Sequence, residues 1–272
     1  MDIKLLGPLS AELNSVSITP NAGKPRQLLS LLAMNANQVL PVPTLMEEIW
    51  GTEMPRSALT TLQTYILQLR RLIGAALGPD ASNGAKDVLV TRHGGYLLQI
   101  PQESVDVHAY ERLVAVGRQA IGDGDDVAAS AAYGEALSMW RGHALVDVRI
   151  GPLLEIELAR LEESRLGALE RRIEADLRLG RHNQLLAELT TLIGRNPLHE
   201  NLHAHCMTAL YRAGRRWRAL EVYQGLRGRL VDELGLEPSA PLRSLHQAIL
   251  AADPSLDAPG TERGPVAELY VA

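Results

Sequence analysis

Apolar and polar residues alternate in short runs at the start of the chain, then change to helical spacing. Ile3 to Leu6, Leu9 to Leu13 and Val16 to Thr19 carry the two-residue period of strands. A Gly-Pro step and an Asn14-Ser15 turn separate them, which predicts a small antiparallel sheet. From Lys24 the spacing is helical, with Pro25 at an early position where its missing N–H costs nothing, Leu28, Leu29, Leu31 and Leu32 as the apolar side, and Asn35 and Asn37 as the stop. A second short helix is expected from Val42-Pro43-Thr44, with Leu45, Met46, Ile49 and Trp50 apolar and Gly51 ending it.

After the Pro55 break, Leu59, Leu62, Ile66, Leu69 and Ile73 fall on one face of a helix turning about 100° per residue and predict its core side. The opposite side of the same wheel carries Thr60, Thr64, Leu67, Gln68 and Arg71, with Thr61 and Arg70 flanking. A loop is expected from Gly78-Pro79 to Gly84. A hairpin follows, with Val88 to Thr91 as one strand, His93-Gly94-Gly95 as the turn, Tyr96 to Ile100 as the other strand and Arg92 on its shoulder. Strands, three helices of which the third is exposed and basic, and a hairpin with a basic tip make the plan of a winged helix-turn-helix.

Pro101 to Asp106 reads as a polar linker, beyond which no strand pattern recurs. Helices are expected over Val107–Ile121, Val127–Trp140 and Pro152–Leu179. A partial repeat with the tetratricopeptide period of about 34 residues then aligns Gly180-Arg181 with Gly214-Arg215, Leu186 with Leu220, Leu189 with Tyr223 and Gly194-Arg195 with Gly228-Arg229. The expected class is therefore an α+β winged helix (residues 1–104) followed by an all-α, tetratricopeptide-like domain (105–252) and a flexible tail (253–272).

Bulk properties sharpen this picture. A length of 272 residues suits two cores, and 46% hydrophobic with 22% charged residues is ordinary globular composition. No apolar run approaches the roughly 18–20 residues of a membrane span, and the start lacks the pattern of a secretory leader, so a cytoplasmic chain with no membrane partner is expected. The single Cys206 leaves no internal disulfide and no cysteine-rich zinc finger. The net charge of −5 is uneven: residues 1–100 hold eight basic and seven acidic side chains, against nineteen and twenty-five in the rest. Arg56 to Pro79 contains three arginines and no acid, which places any phosphate-facing surface there.

Hydroxyls, an amide and arginine without a carboxylate suit base reading. Gln pairs bidentately with adenine and Arg with guanine, and Leu67 packs on a thymine methyl. Thr60, Thr64, Leu67, Gln68 and Arg71 are therefore expected in the major groove of double-stranded DNA, and Arg56, Thr61, Gln63, Tyr65 and Arg70 on its backbone. One motif points elsewhere: His199-Glu200-Asn201-Leu202-His203 fits the H-E-x-x-H signature of zinc peptidases, with Glu221 as a third ligand. The same letters also read as a capped repeat helix, with Pro197 in its first turn, Leu198, Leu202, Cys206, Ala209, Leu210 and Ala213 buried, and His199 and His203 half-exposed at its surface. A third reading keeps the repeats as a scaffold that binds no DNA.

KPRQLLSLLAMNANQVLPVPTLMEEIWG, SALTTLQTYILQLRRLIG and VLVTRHGGYLL resemble the DNA-binding half of the Streptomyces antibiotic regulatory proteins, whose reader is OmpR-like. VDVHAYERLV, ALSMWRGHAL and the segment from Ala209 to Leu250 resemble their bacterial transcriptional activation domain. The resemblance implies a pathway-specific activator, no enzyme and with no cofactor, that binds tandem direct repeats near a −35 element and recruits RNA polymerase with its sigma factor; the small positive excess of residues 1–100 adds the expectation of a head-to-tail dimer on DNA. It also implies that Arg92 and His93 at the wing tip reach the minor groove, and it makes the Gly51–Ser57 loop a candidate polymerase contact. No G-x-x-x-x-G-K-[ST] occurs, so the ATPase module of larger members is not expected.

Overall fold

The computed structural model describes residues 1–78 and 84–257. The expected loop between Gly78 and Gly84 lies mostly outside these residues, as does the tail from 258 onward. Two compact units emerge, one of residues 1–115 with 135–166 and one of residues 116–134 with the chain from 167 on. The expected division at 104/105 falls inside the first.

Strands β1 (Asp2–Lys4), β2 (Ser10–Leu13) and β3 (Val16–Ser17) form an antiparallel sheet in that order. Its β2–β3 reversal is the predicted Asn14-Ser15 turn, where both residues take positive φ, 51° and 64°. Helices α1 (Gly23–Met34), α2 (Val42–Trp50) and α3 (Ala58–Leu77) follow. Pro25 and Pro43 sit in first turns, and Gly51 ends α2 at φ 56°.

A second sheet has the order β4-β6-β5, from β4 (Leu40–Pro41), β5 (Leu89–Arg92) and β6 (Gly95–Leu98). Strand β4 has only two residues, too few to show a period in the sequence. One turn of helix, α4 (Ala85–Val88), precedes β5, so the strand starts one residue later than expected. Arg92 pairs directly with Gly95, which tightens the turn to His93-Gly94, with Gly94 at φ 74°. Gly95 is required by close approach: a Cβ there would lie 2.4 Å from the Leu40 carbonyl oxygen.

The supposed linker is a fixed part of the first unit. Gln102–Ser104 form a 3-10 turn, Val105 is fully buried and bridges Ile3, and Asp106 accepts the backbone N–H of Leu5 and Leu6 at 2.7 and 3.0 Å. Burial raises the Asp106 carboxyl above its usual range although these donors, Arg141 and Val107 oppose the shift. The unit also takes in the start of α5 (Asp106–Gly122), the end of α6 (Asp126–Ser138) and the first half of α7 (Pro152–Arg178). Leu28, Leu31, Leu45, Leu62 and Ile66 share one core with Tyr110, Trp140, Leu145, Leu154 and Leu161.

The second unit is all-helical. It includes α8 (His182–Arg195), α9 (Glu200–Arg212), α10 (Arg216–Leu234) and α11 (Ala240–Ala251). One reversal recurs three times, at Gly124, Gly180 and Gly214, with φ of 75°, 74° and 73°. In each, the residue after glycine donates its N–H five residues back, to Ala120, Asp176 or Leu210. This is the C-terminal cap that left-handed glycine permits, and it carries the aligned Gly180-Arg181 and Gly214-Arg215. The later match fails in detail, because Gly194 lies one residue from the end of α8 whereas α10 continues six residues past Gly228. The first residues of the expected tail form a 3-10 turn at Pro254–Leu256, and the Leu256 carbonyl accepts from Arg212 Nε.

Candidate nucleic-acid interface

Helix α3 is amphipathic, and its buried line is Ala58, Leu62, Ile66, Leu69, Ile73 and Ala76. Leu59, expected in that line, is 48% exposed. It stands in the first turn, where Ala58 takes the inward position and nothing covers its neighbour. The residues expected on the outer side are where the pattern put them. Thr60, Thr64, Leu67 and Arg71 are exposed and Gln68 is partly covered. Among the backbone candidates, Arg56 and Gln63 are exposed, and Thr61, Tyr65 and Arg70 are half-buried.

Three fixings hold this helix. At its end, the Asn14 side chain donates to the Ala76 carbonyl at 3.1 Å. In its middle, Arg70 donates from Nε and Nη2 to the Leu89 carbonyl at 2.9 and 2.6 Å, and from Nη2 to Thr91 Oγ1 at 2.8 Å. Near its start, the Tyr65 ring stacks on Trp50 with centroids 6.3 Å apart, and Lys24 lies 5.0 Å from the centre of that indole. Arg70 therefore differs from the free phosphate-facing cation expected of it. Two of its three guanidinium nitrogens already brace the wing strand against the helix.

The outer face has a definite chemistry. The Thr64 hydroxyl donates to the Thr60 carbonyl at 3.0 Å, so its proton is spent and the oxygen offers an acceptor. Leu67, 49% exposed, is an apolar contact in the middle of the face. Arg71 follows one turn later. Arg92 and His93 are exposed where the β5–β6 hairpin reverses. Among the described residues no carboxylate pairs with Arg56, Arg70, Arg71 or Arg92, whereas Arg26, Arg141 and Arg160 of the same unit each have one. The guanidinium groups of Arg56, Arg71 and Arg92, around a face with no acid, are free to meet anions, and Arg70 keeps one nitrogen for them.

A residue without any sequence signal orders the elements behind this face. Glu48 of α2 is 2% exposed. Its carboxylate accepts Gln27 Nε2 at 2.9 Å and the backbone N–H of Gly151, Leu153 and Leu154 at 2.8, 2.9 and 3.1 Å. It thereby caps the first turn of α7. The fit is tight, since a Cβ on Gly151 would lie 2.0 Å from the Glu48 carbonyl oxygen.

The H-E-x-x-H residues are spent on packing. His199 Nε2 meets Glu170 Oε1 at 3.2 Å, and Glu200 accepts the backbone N–H of Ser239 at 2.8 Å, at the start of α11. His203, expected half-exposed, is 3% exposed; its Nδ1–H donates to the His199 carbonyl at 3.0 Å, which satisfies the ring inside the core. Met207, not expected in the buried stripe, is fully buried, while Leu198 and Ala213 are only partly so. Glu221 is exposed on α10. Among the described residues no group of three or more His, Cys, Asp or Glu could hold a metal ion, and no helix is long and apolar enough to cross a membrane.

Residues 16–98 match the family model for the C-terminal part of transcriptional regulatory proteins, and residues 105–250 match the bacterial transcriptional activator domain. The chain is 55% identical to regulatory protein DnrI of Streptomyces peucetius over the full length of both. It is 37% identical to transcriptional regulator RedD of Streptomyces coelicolor, over 95% of this chain and 73% of that one. The solved structure of Mycobacterium tuberculosis EmbR, in complex with a low-affinity phosphopeptide, superposes with a TM-score of 0.86 at 30% identity, covering 93% of this chain and 65% of that one.

Proposed function

We propose, from the premise that this chain belongs to the Streptomyces antibiotic regulatory proteins, a family of transcription activators, that it binds tandem direct repeats beside the −35 element of promoters in an antibiotic gene cluster. Bound there, it recruits RNA polymerase and its sigma factor. The observation that carries this reading is the outer face of α3, which presents Thr60, Thr64, Leu67, Gln68 and Arg71, is bordered by Arg56 and is free of acids. The rigid seating of that helix supports it, because a reader must hold its side chains in register with base edges.

In this reading α3 enters the major groove, and Arg56, Thr61, Gln63 and Tyr65 meet the backbone. Arg70 holds the wing, with its remaining nitrogen toward phosphate, and Arg92 with His93 follows the minor groove. A reader with so small a positive excess neutralises few phosphates, so two copies in head-to-tail order on adjacent repeats supply the affinity. The helical half and the Gly51–Ser57 loop face the polymerase. The relatives DnrI and RedD are named as regulators, which favours this over the peptidase reading.

Footprinting on the promoters beside the chain's own gene tests it. Two protected repeats about one helical turn apart are expected, with affinity falling steeply as salt rises from about 50 to 200 mM. Salt-independent binding, or protection of unrelated sequences alike, would overturn it.

A further inference from the structure

The first turn of α10 is built against the usual rule for helix starts. Helices α5, α6, α7 and α9 each have an acid in the first turn (Asp106, Asp126, Glu155 and Glu200), where a negative charge meets the positive end of the helix dipole. Helix α10 has none there, as α8 and α11 do not, and in addition carries Arg215 at its cap with Arg216 and Arg218 in the turn. All three are exposed. Among the described residues no carboxylate pairs with any of them, although Arg216 Nη2 donates to the Leu250 carbonyl; Arg171, Arg172, Arg178, Arg181 and Arg227 of the same unit have such partners, whereas Arg195, Arg212, Arg229 and Arg243 do not. Glu221, one turn further on, forms no ion pair with them. Like charges crowd the unfavourable end of a helix, in the half of the chain that is otherwise acidic.

Trp217 stands in the middle of this cluster and is 66% exposed, with the Arg218 guanidinium 5.8 Å from its ring centre. The other two tryptophans are packed: Trp50 against Tyr65, and Trp140 beneath Arg165. An indole left in water among arginines without carboxylate partners has the composition of a protein-binding hot spot, in which an apolar anchor is ringed by charge.

We propose that Arg215, Arg216, Trp217 and Arg218 form a docking site for an acidic protein segment bearing an apolar side chain, supplied by the polymerase holoenzyme. The inference rests on the activator reading for the identity of the partner, and on charge complementarity for its chemistry. A DNA backbone satisfies the arginines equally well, but duplex phosphates offer nothing to cover the indole. An acidic segment with an apolar residue satisfies both.

The test uses the full chain, a target promoter fragment and purified holoenzyme, with the photo-crosslinker benzoylphenylalanine placed at position 217. Expected are crosslinks to a polymerase segment richer in Asp and Glu than in Lys and Arg. W217A, at an exposed position that cannot disturb the core, should lower activated transcription by at least about tenfold with promoter affinity unchanged in a mobility shift. R215E/R216E/R218E should do the same, and R215K/R216K/R218K should keep most of the activity. Crosslinks to DNA, crosslinks to a neutral or basic segment, or full activation by W217A would each overturn the proposal. Failure of the unaltered chain to bind the promoter would instead overturn the activator reading, which the mobility shift reports separately.

Discussion

The carboxylate of Glu48 receives the backbone N–H of Gly151 at 2.8 Å, 103 positions further along the chain. Leu153 and Leu154 donate to the same side chain, so three N–H groups, that of Leu154 buried and the others partly so, depend on it. Hydrogen bonds to a charged acceptor contribute about 1.5–3 kcal/mol each, and stranded donors cost more than absent ones. Glu48→Ala is therefore expected to lose about 3–4 kcal/mol in urea unfolding. Glu48→Gln should lose less, since its carbonyl still accepts. A loss below about 1 kcal/mol for the alanine variant would show that the carboxylate does not hold α7 in place.

Neighbouring arginines on α3 should separate. Arg71 is exposed on the outer face, and Arg71→Ala is expected to cost about 1–3 kcal/mol on the preferred operator and to relax preference at one base pair. Arg70→Ala removes the brace to Leu89 and Thr91. It should weaken binding to every sequence alike and lower stability by about 1–2 kcal/mol. Binding to a randomised operator library, combined with thermal unfolding, distinguishes the two; identical selectivity profiles would contradict the assignment.

Acid should weaken the helical unit through its histidines. Burial lowers the His203 ring below the ordinary imidazole value near 6.5, and burial likewise lowers His182, His205 and His246. A depressed folded value means that the unfolded chain takes up protons first. The contribution is whole above about pH 6.5 and is lost as the pH falls through the folded values. The midpoint of thermal unfolding is expected to drop between pH 7 and pH 5, less so in His203→Gln. An unchanged slope in that variant would place the acid sensitivity elsewhere.

Cys206 should be chemically silent in the folded protein. It is 2% exposed, and burial pushes its thiol up to about 11. At neutral pH almost no thiolate exists to attack an alkylating or disulfide reagent. Labelling with a thiol reagent should be complete in urea and negligible without it; fast labelling of the native chain would mean that α9 opens readily.

Local signals in the sequence located most elements. Pro25, Pro43, Gly51 and the Asn14-Ser15 pair act within a few residues, so their meaning survives without tertiary knowledge. The outer face of α3 was legible for the same reason, because helical spacing alone separates Thr60, Thr64 and Arg71 from Leu62, Ile66 and Ile73. What escaped depends on partners far along the chain. Glu48 looks like an ordinary surface acid of a short helix until Gly151 arrives beside it. Val105 and Asp106 sat in a polar stretch that read as a linker, yet they are anchored by Ile3, Leu5 and Leu6. His203 was placed at the surface because nothing in the sequence told that its ring would be satisfied by the His199 carbonyl. Leu59 followed the period of its helix but stands beyond the reach of the core.

Because Leu154 and Leu161 complete the core that Leu28 and Leu62 begin, that core is not whole when residues 1–104 alone have been synthesised. A nascent chain halted at residue 104 lacks its last wall. At about 5–20 residues per second the ribosome needs several more seconds to deliver it. Throughout that interval α3 belongs to an unfinished core.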